Sequence, residues 1–173
     1  MESLDHAISR GANILVELVG FGCTSDAAHL VQPEESGTSA AQAMKLSLAD
    51  AGVSTDEVDY INAHGTSTPA GDMIELKAIK KVFGAHRPKI SSTKSLTGHS
   101  QGATGVHEAI YSLLMLDEDF IAASANIESI DPEAEDAEII TDRLDNAGLN
   151  CVMSNSFGFG GTNASLVFER YNG

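Results

Sequence analysis

A chain of 173 residues matches one domain in length and is long enough to bury a hydrophobic core. Hydrophobic residues make up 42%, which excludes a disordered acidic tail although 25 acids against 10 bases give a net charge of −15. That balance argues against binding to nucleic acid or to an anionic membrane, since both need clustered Lys and Arg. With no apolar run near the ~18 residues that span a bilayer and no signal-peptide pattern, we expect a soluble cytoplasmic protein.

The first half of the chain alternates between helical and strand-like periodicity, and glycine, proline or polar turns end each segment. The helix predicted at 38–51 has small and apolar residues at helical spacing and is followed by Gly52. Asp72 and Glu75 lie three residues apart at the start of another helix, which is close to a capping box. In chain order the predicted elements are a helix at 4–9, a strand at 13–24, a loop at 26–36, a helix at 38–51, a strand at 58–63 and a helix at 72–83.

The second half ends in strands that follow one another. The segment 157–163, between the last two strands, is predicted to be an irregular turn because it contains three glycines. Alternating helices and strands, followed by consecutive strands, are typical of an α/β layered domain with a mixed sheet and a terminal hairpin. The predicted elements are a strand at 89–92, a loop at 93–101, a helix at 102–116, and strands at 139–140, 150–154 and 164–170.

Polar, glycine-rich loops follow three of the predicted strands, and because ligands gather at the carboxyl ends of strands in open α/β sheets, they could line one site. In the first loop, His64 can exchange a proton or donate to a developing oxyanion. Thr66 and Thr68 can hold an amide-containing ligand. A capped turn, in which the two hydroxyls satisfy backbone groups, explains the same residues equally well. The three loops lie at 64–71, 93–105 and 154–163.

The second and third loops are each ambiguous when taken alone. Lys94 and His99 could face one site close to a helix N-terminus, which favours anions, but the GxxxxGK[ST] pattern of a P-loop is absent. Phe157 and Phe159 flank a glycine and could gate an apolar channel. Packing of both rings into the core is the simpler interpretation of the aromatic pair.

The two cysteines are not predicted to carry chemistry. Cys151 begins an apolar strand and is interpreted as an inert core residue, while Cys23 lies at a strand end without a histidine nearby in sequence. Two cysteines without CxxC spacing indicate neither a disulfide framework nor a zinc site. We expect no bound metal.

Taken together, the three loops resemble those of the condensing enzymes of the thiolase-like superfamily. The matching segments are AHGTSTPAGD, SSTKSLTGHSQGATGVHEAIYSLLML and NSFGFGGTNASLVF, and the similarity extends from about residue 11 to residue 168. Their form looks most like the β-ketoacyl-acyl-carrier-protein synthases of type I, with the type II synthases and the polyketide ketosynthases as near alternatives. The resemblance implies one half of a five-layer αβαβα fold, with a mixed sheet and flanking helices.

This resemblance implies a Cys-His-His site that elongates acyl chains by decarboxylative Claisen condensation with malonyl-acyl-carrier protein in fatty-acid synthesis. His64 and His99 would bind the malonyl thioester carbonyl and stabilise the enolate formed on decarboxylation. Lys94 would act through a neighbouring acid, for which Glu108 is the candidate. Asp72 is also expected to support the site.

Substrate contacts are implied by the same resemblance. Thr66 and Thr68 would hold the phosphopantetheine arm of the acyl carrier protein, so that no cofactor other than this carried arm is expected. Phe157 and Phe159 would lie beside the nucleophile, with Phe159 as the gate of the acyl pocket. Since acids outnumber bases in this chain, carrier docking is expected mainly on another part of the enzyme.

One departure from the family concerns the nucleophile, because the family's cysteine lies in an N-terminal half and this chain begins after it. Cys23 falls where relatives commonly carry alanine, and Gln101 and Thr104 replace an aliphatic residue and an alanine. We therefore expect residues 1–173 to form a single C-terminal domain, inactive alone in condensation and part of a homodimer in the full-length enzyme. An apolar sheet face toward the N-terminal half should be exposed.

Three other functions stay open at this point. The chain could be a non-catalytic binding or dimerisation module of the same fold, which the intact His64, Lys94 and His99 argue against. It could also be part of a polyketide ketosynthase. A malonyl-thioester decarboxylase that needs no cysteine is a third alternative, since decarboxylation requires an oxyanion site more than a nucleophile.

Overall fold

Five α-helices and seven β-strands follow one another along residues 1–173, all of which the computed structural model describes. None of the helices combines the length and the apolar character that crossing a bilayer requires. Short 3₁₀ turns lie at Thr55–Glu57, Gln101–Ala103, Pro132–Ala134 and Phe159–Gly161. In chain order the elements are α1 (Leu4–Ser9), β1 (Val16–Ser25), α2 (Thr38–Ala51), β2 (Tyr60–Asn62), α3 (Gly71–Phe83), β3 (Lys89–Ser91), α4 (Lys94–Thr97), α5 (Thr104–Glu118), β4 (Phe120–Ile121), β5 (Leu144–Asp145), β6 (Cys151–Gly158) and β7 (Thr162–Arg170).

A five-stranded mixed sheet in the order β1-β7-β6-β2-β3 forms the centre of the protein. β2 lies parallel to β3 and to β6, whereas β7 lies antiparallel to both β6 and β1. Asn62, at the end of β2, is in register with Ser91 of β3 and Ser154 of β6. The carboxyl ends of these three strands therefore point to one edge of the sheet, and the predicted mixed sheet with a terminal hairpin is confirmed.

Side chains that alternate along the central strands divide the core into two layers. Ile61 of β2 and Met153 of β6 are fully buried and pack with residues of α2 and α3. Their neighbours Tyr60 and Val152 are buried on the opposite face, in a cluster with residues of α5. The sheet therefore has helices on both faces, as predicted for the α/β fold class.

Helix α2 crosses very close to β1, because Gly20 and Gly22 of the strand have no side chains. A Cβ at Gly22 would overlap the carbonyl oxygen of Ala43 and lie 2.6 Å from the backbone nitrogen of Ser47. We expect Gly22→Ala to lower the free energy of unfolding by about 1–3 kcal/mol, as overpacking typically does. Urea denaturation measures this, with Gly102→Ala as the control because a Cβ there meets nothing within 4 Å. Equal losses in the two variants would contradict the expectation.

Several element boundaries differ from the predicted ones. The loop predicted at 93–101 contains α4, and the strand predicted at 139–140 is only an isolated bridge between Ile139 and Ile90. β6 continues through Phe157 to Gly158, so that only 159–161 of the predicted irregular turn lies outside the strands. Pairing with β7 holds Phe157 and Gly158 extended, and this long-range pairing is invisible in the local sequence.

An apolar surface stays exposed on the α5 side of the sheet. Val106, Ile110 and Leu114 repeat along the outer side of α5 and keep 64%, 47% and 50% of their surface exposed. Leu18 and Phe21 of β1 are also exposed and lie on the same side, because their register partners on β7 pack against α5. We call these five residues the α5 face. The sequence predicted an exposed apolar face of the sheet, whereas three of these five residues lie on a helix.

Candidate active site

The three predicted loops meet in one cavity of about 850 Å³ at the common edge of β2, β3 and β6. A fourth segment, 26–37, also lines this cavity, and sequence reasoning did not identify it. The amide of Asp26 donates to the carbonyl of Gly161 at 2.8 Å, and the amide of Gly160 donates to the carbonyl of Leu30 at 2.7 Å. This segment therefore closes the cavity against the turn after β6, through contacts that join residues over 120 positions apart in the chain.

His64 leaves the end of β2 and lies half-buried in the cavity wall. The ammonium of Lys94 lies 3.3 Å from Nδ1 of His64 and also donates to the His64 carbonyl. Because an ammonium can only donate, Nδ1 accepts and the ring proton is on Nε2. Burial, followed by the charges of Lys94 and His99, lowers the pKa of His64 to about 3. His64 is therefore a neutral hydrogen-bond donor at neutral pH.

His99 lies in the loop after α4 and lines the same cavity. Its ring lies perpendicular to that of His64, with 5.5 Å between the ring centroids. The backbone amide of Gln101 donates to Nδ1 of His99 at 2.9 Å, which places the proton of the neutral ring on Nε2. The two rings together bring two Nε2–H donors to one cavity.

A buried ion pair lies behind the histidines. Lys94 of α4 and Glu108 of α5 are in contact, with 6% and 2% of their side chains exposed. Burial raises the pKa of Glu108, and the hydrogen bond from Lys94 opposes that rise. Oε2 of Glu108 is buried without a hydrogen-bond partner in the structure. The contact between Lys94 and Glu108 that the resemblance implied is confirmed.

Glu75 is part of the site although sequence reasoning did not select it. Its carboxylate is 4% exposed and accepts from the amides of His64 and Gly65, both at 2.9 Å, and from Nδ2 of Asn155 at 3.3 Å. These bonds hold the backbone at His64 in place. The signal in the sequence was an acid four residues before Ile79, within the apolar stripe of α3.

The capping box predicted for Asp72 and Glu75 is wrong. The N-cap of α3 is Ala70, which makes no side-chain cap. Asp72 instead accepts from the amide of Ser67 at 3.0 Å and so fixes the left-handed turn at that residue. Both acids bond to the loop after β2, because that loop folds back over the first turn of the helix.

The stability of the protein should depend on pH through Glu75. Burial raises the pKa of this carboxyl from 4.5 to about 7, against the opposing hydrogen bonds. Since the folded state binds the proton more tightly, the contribution of Glu75 to stability is present below pH ~4.5 and is lost as the pH rises to ~7. In Glu75→Gln, which cannot ionise, this component should be absent. Urea denaturation between pH 4.5 and 8 measures the difference, and the exposed Glu118→Gln should keep the wild-type slope. A wild-type slope in Glu75→Gln would contradict the assignment.

The predicted substrate-binding residues also line the cavity. The hydroxyls of Thr66 and Thr68 lie 3.2 Å apart and bond to each other, and neither bonds to a backbone group. Turn capping is therefore not their role in the structure. The ring of Phe157 lies 6.1 Å from that of His64, and Phe159 is 79% exposed at the rim.

Burial of Cys151 supports its predicted inert character, and for Cys23 that character stays a prediction. Cys151 is buried, and burial raises the pKa of its thiol to about 12, which leaves it protonated. Cys23 is exposed within β1, opposite Ala164. No three side chains of His, Cys, Asp or Glu are grouped as metal ligands.

Comparison with known proteins decides the family of this chain. Residues 15–128 match the model of the β-ketoacyl synthase C-terminal domain. The chain belongs to the β-ketoacyl synthase family. Over its full length this β-ketoacyl synthase domain is 61% identical to 3-oxoacyl-[acyl-carrier-protein] synthase 1 of Haemophilus influenzae, covering 41% of that protein. It is 55% identical over 170 residues to the same-named protein of Escherichia coli K12, covering 98% of the chain and 40% of the relative.

Solved structures confirm the thiolase-like fold of the β-ketoacyl synthase domain. A β-ketoacyl synthase from Burkholderia phymatum matches 99% of the chain with a TM-score of 0.92 at 43% identity, over 41% of that structure. A ketosynthase complex with a type II polyketide acyl-carrier protein matches 99% of the chain with a TM-score of 0.93 at 31% identity, over 42% of its length. The chain thus spans about two-fifths of the proteins that it matches.

Proposed function

We propose that this chain is the C-terminal part of a 3-oxoacyl-acyl-carrier-protein synthase and carries the decarboxylation part of its active site. The observation that supports this most strongly is the pair of Nε2–H donors on His64 and His99, with ring centroids 5.5 Å apart in the cavity. Two such donors can bind one thioester carbonyl oxygen. They stabilise the charge that develops there because they are fixed before the reaction begins.

The reaction begins at the malonyl thioester. The bond between the carboxylate carbon and the methylene carbon breaks and carbon dioxide leaves. The electron pair of the broken bond passes into the thioester carbonyl to give an enolate. His64 and His99 donate to the enolate oxygen as neutral groups. The enolate carbon then attacks the acyl thioester on a cysteine, which forms the new carbon–carbon bond and releases the cysteine thiolate.

Other residues of the cavity act around this step. Lys94, held by Glu108, donates to Nδ1 of His64 and so fixes the tautomer that the reaction needs. Thr66 and Thr68 hold the amides of the phosphopantetheine arm, on which the carrier protein presents the substrate. Phe157 and Phe159 border the acyl pocket. The substrate arrives on that arm and the chemistry needs no other cofactor.

The nucleophilic cysteine comes from an N-terminal half, carried either by the same polypeptide or by a partner chain. The exposed α5 face supports this, because a surface that leaves Val106, Ile110 and Leu114 each between 47% and 64% exposed is typical of an interface. That half also provides most of the carrier-docking surface, and the complete enzyme is a homodimer. The higher identity to the two synthase 1 relatives than to the polyketide complex favours fatty-acid elongation.

A chimeric synthase tests the proposal. In it, this chain replaces the matching C-terminal part of the H. influenzae relative, to which it is 61% identical. We expect condensation of acyl-carrier and malonyl-carrier proteins into a 3-oxoacyl product, and no condensation by the chain alone. A folded chimera that forms no such product would overturn the proposal. Carbon dioxide release by the isolated chain would instead favour a decarboxylase.

A further inference from the structure

The turn that presents His99 is held by very few bonds. Residues 96–103 are all exposed in this chain, so packing within the chain does not fix their conformation. Gln101 has a left-handed backbone with φ of 52°, which is unfavourable for a residue with a side chain. The backbone of Ser100, with φ of −84° and ψ of 23°, directs the Gln101 amide to Nδ1 of His99 at 2.9 Å. The tautomer of His99 therefore depends on a strained, exposed turn that something else must stabilise.

One side-chain hydrogen bond joins this turn to regular structure. The hydroxyl of Ser100 lies 2.9 Å from Nδ1 of His107, which is on the first turn of α5. The neighbouring backbone bond, from the amide of Ala103 to the carbonyl of Ser100, closes the same turn at 3.2 Å. Ser100 lies between His99 and Gln101, and hydrogen bonds to both its side chain and its carbonyl hold it in place.

We propose that His107 is a positioning residue for His99, acting through the hydroxyl of Ser100. The bond anchors the Ser100–Gln101 turn to α5 and so keeps the Gln101 amide on Nδ1 of His99 and the proton on Nε2. A serine hydroxyl beside a histidine could also be a nucleophile with its general base. In such a pair a third group, often a carboxylate, orients the histidine, and no carboxylate pairs with the ring of His107. A structural role in the turn therefore fits the geometry better than a second reaction centre. This inference rests on the proposed function only for its catalytic consequence.

The hydrogen bond between Ser100 and His107 also predicts which substitution of His107 preserves the tautomer of His99. Asparagine places its amide close to the position of Nδ1 in histidine, so His107→Asn should keep the bond to Ser100. His107→Ala and Ser100→Ala should each remove it. Because the net contribution of one hydrogen bond to stability is modest, we expect the Nδ1–H form of His99 to become about threefold to tenfold more populated in these two variants.

Nitrogen-15 histidine NMR of the 173-residue chain reads the tautomer directly. The six histidines are few enough to resolve, and the spectrum of His99→Ala assigns the signal. Increased Nδ1–H in His107→Ala and Ser100→Ala, with wild-type values in His107→Asn, supports the proposal. A wild-type tautomer in both deletion variants overturns it, and so does lower thermal stability without a tautomer change.

Kinetics of the chimeric synthase separate this proposal from the proposed function. His107→Ala should lower kcat for malonyl decarboxylation by about threefold to tenfold, with KM unchanged because the carried arm binds elsewhere, and His107→Asn should restore kcat. If the unmodified chimera has no activity while the tautomer responds as expected, the positioning role stands and the proposed function fails. If the chimera is active and kcat is the same in the unmodified chimera, in His107→Ala and in His107→Asn, the positioning role is wrong.

Discussion

Replacing His64 or His99 by alanine in the chimeric synthase is expected to lower kcat for malonyl decarboxylation by about 10²–10³-fold. Each substitution removes one fixed Nε2–H donor from the position of the enolate oxygen, and the loss of one oxyanion donor typically has this magnitude. The double variant should lose less than the product of the two single effects, because both donors act on one oxygen. Release of labelled carbon dioxide from malonyl-carrier protein measures the rates.

His6→Ala is the matched control for these variants, since the His6 ring lies exposed on α1 and pairs with Glu2, outside the cavity. It should leave the rate unchanged. The activity should also show no loss through protonation of His64 between pH 5 and 8, because burial and the neighbouring charges hold its pKa near 3. Wild-type decarboxylation by both His64→Ala and His99→Ala would refute the oxyanion role.

Lys94→Ala is expected to lower the free energy of unfolding by about 3–5 kcal/mol, because it leaves the buried carboxylate of Glu108 without its partner. The loss should shrink as the pH falls, since protonation removes the unpaired charge. Urea denaturation at pH 5 and pH 8 measures both effects. Replacing the two residues together, as Lys94→Met with Glu108→Leu, should recover much of the stability.

Lys80→Ala is the control for this experiment. The pair of Lys80 with Asp136 is also a lysine–carboxylate contact, but the lysine side chain is 68% exposed. Water screens such a pair, so its loss should change the stability far less than the loss of Lys94 does. Similar effects for Lys94→Ala and Lys80→Ala would mean that the buried pair does not stabilise the fold as its burial indicates.

The elements that could be predicted from the sequence are those that local chemistry decides. Helix α2 has the predicted bounds, because Gly37 and Gly52 on either side both adopt positive φ angles and the residues between have helical spacing. The strand before His64 and the helix after Asp72 were also placed correctly to within two residues. Strand β6 was not, because its last residues are held extended only by pairing with β7.

The residues of the candidate site divide in the same way. The three glycine-rich loops could be identified, and the rule that ligands gather at the carboxyl ends of strands predicted that they meet. Glu75 was missed because an acid within the apolar stripe of a helix is locally indistinguishable from an interruption of that stripe or from a helix-capping residue. Its bonds to the amides of His64 and Gly65 exist only after the loop folds back over α3.

The sequence by itself determined the family, the fold class and the residue types of the site, because the motifs around His64, Lys94 and His99 are local and specific. Tertiary structure alone decided what state those residues are in. The proton of His64 is on Nε2 because Lys94, thirty residues away, donates to Nδ1, and its pKa is low because the cavity removes it from water. Such effects depend on distance and burial, which only the folded chain defines.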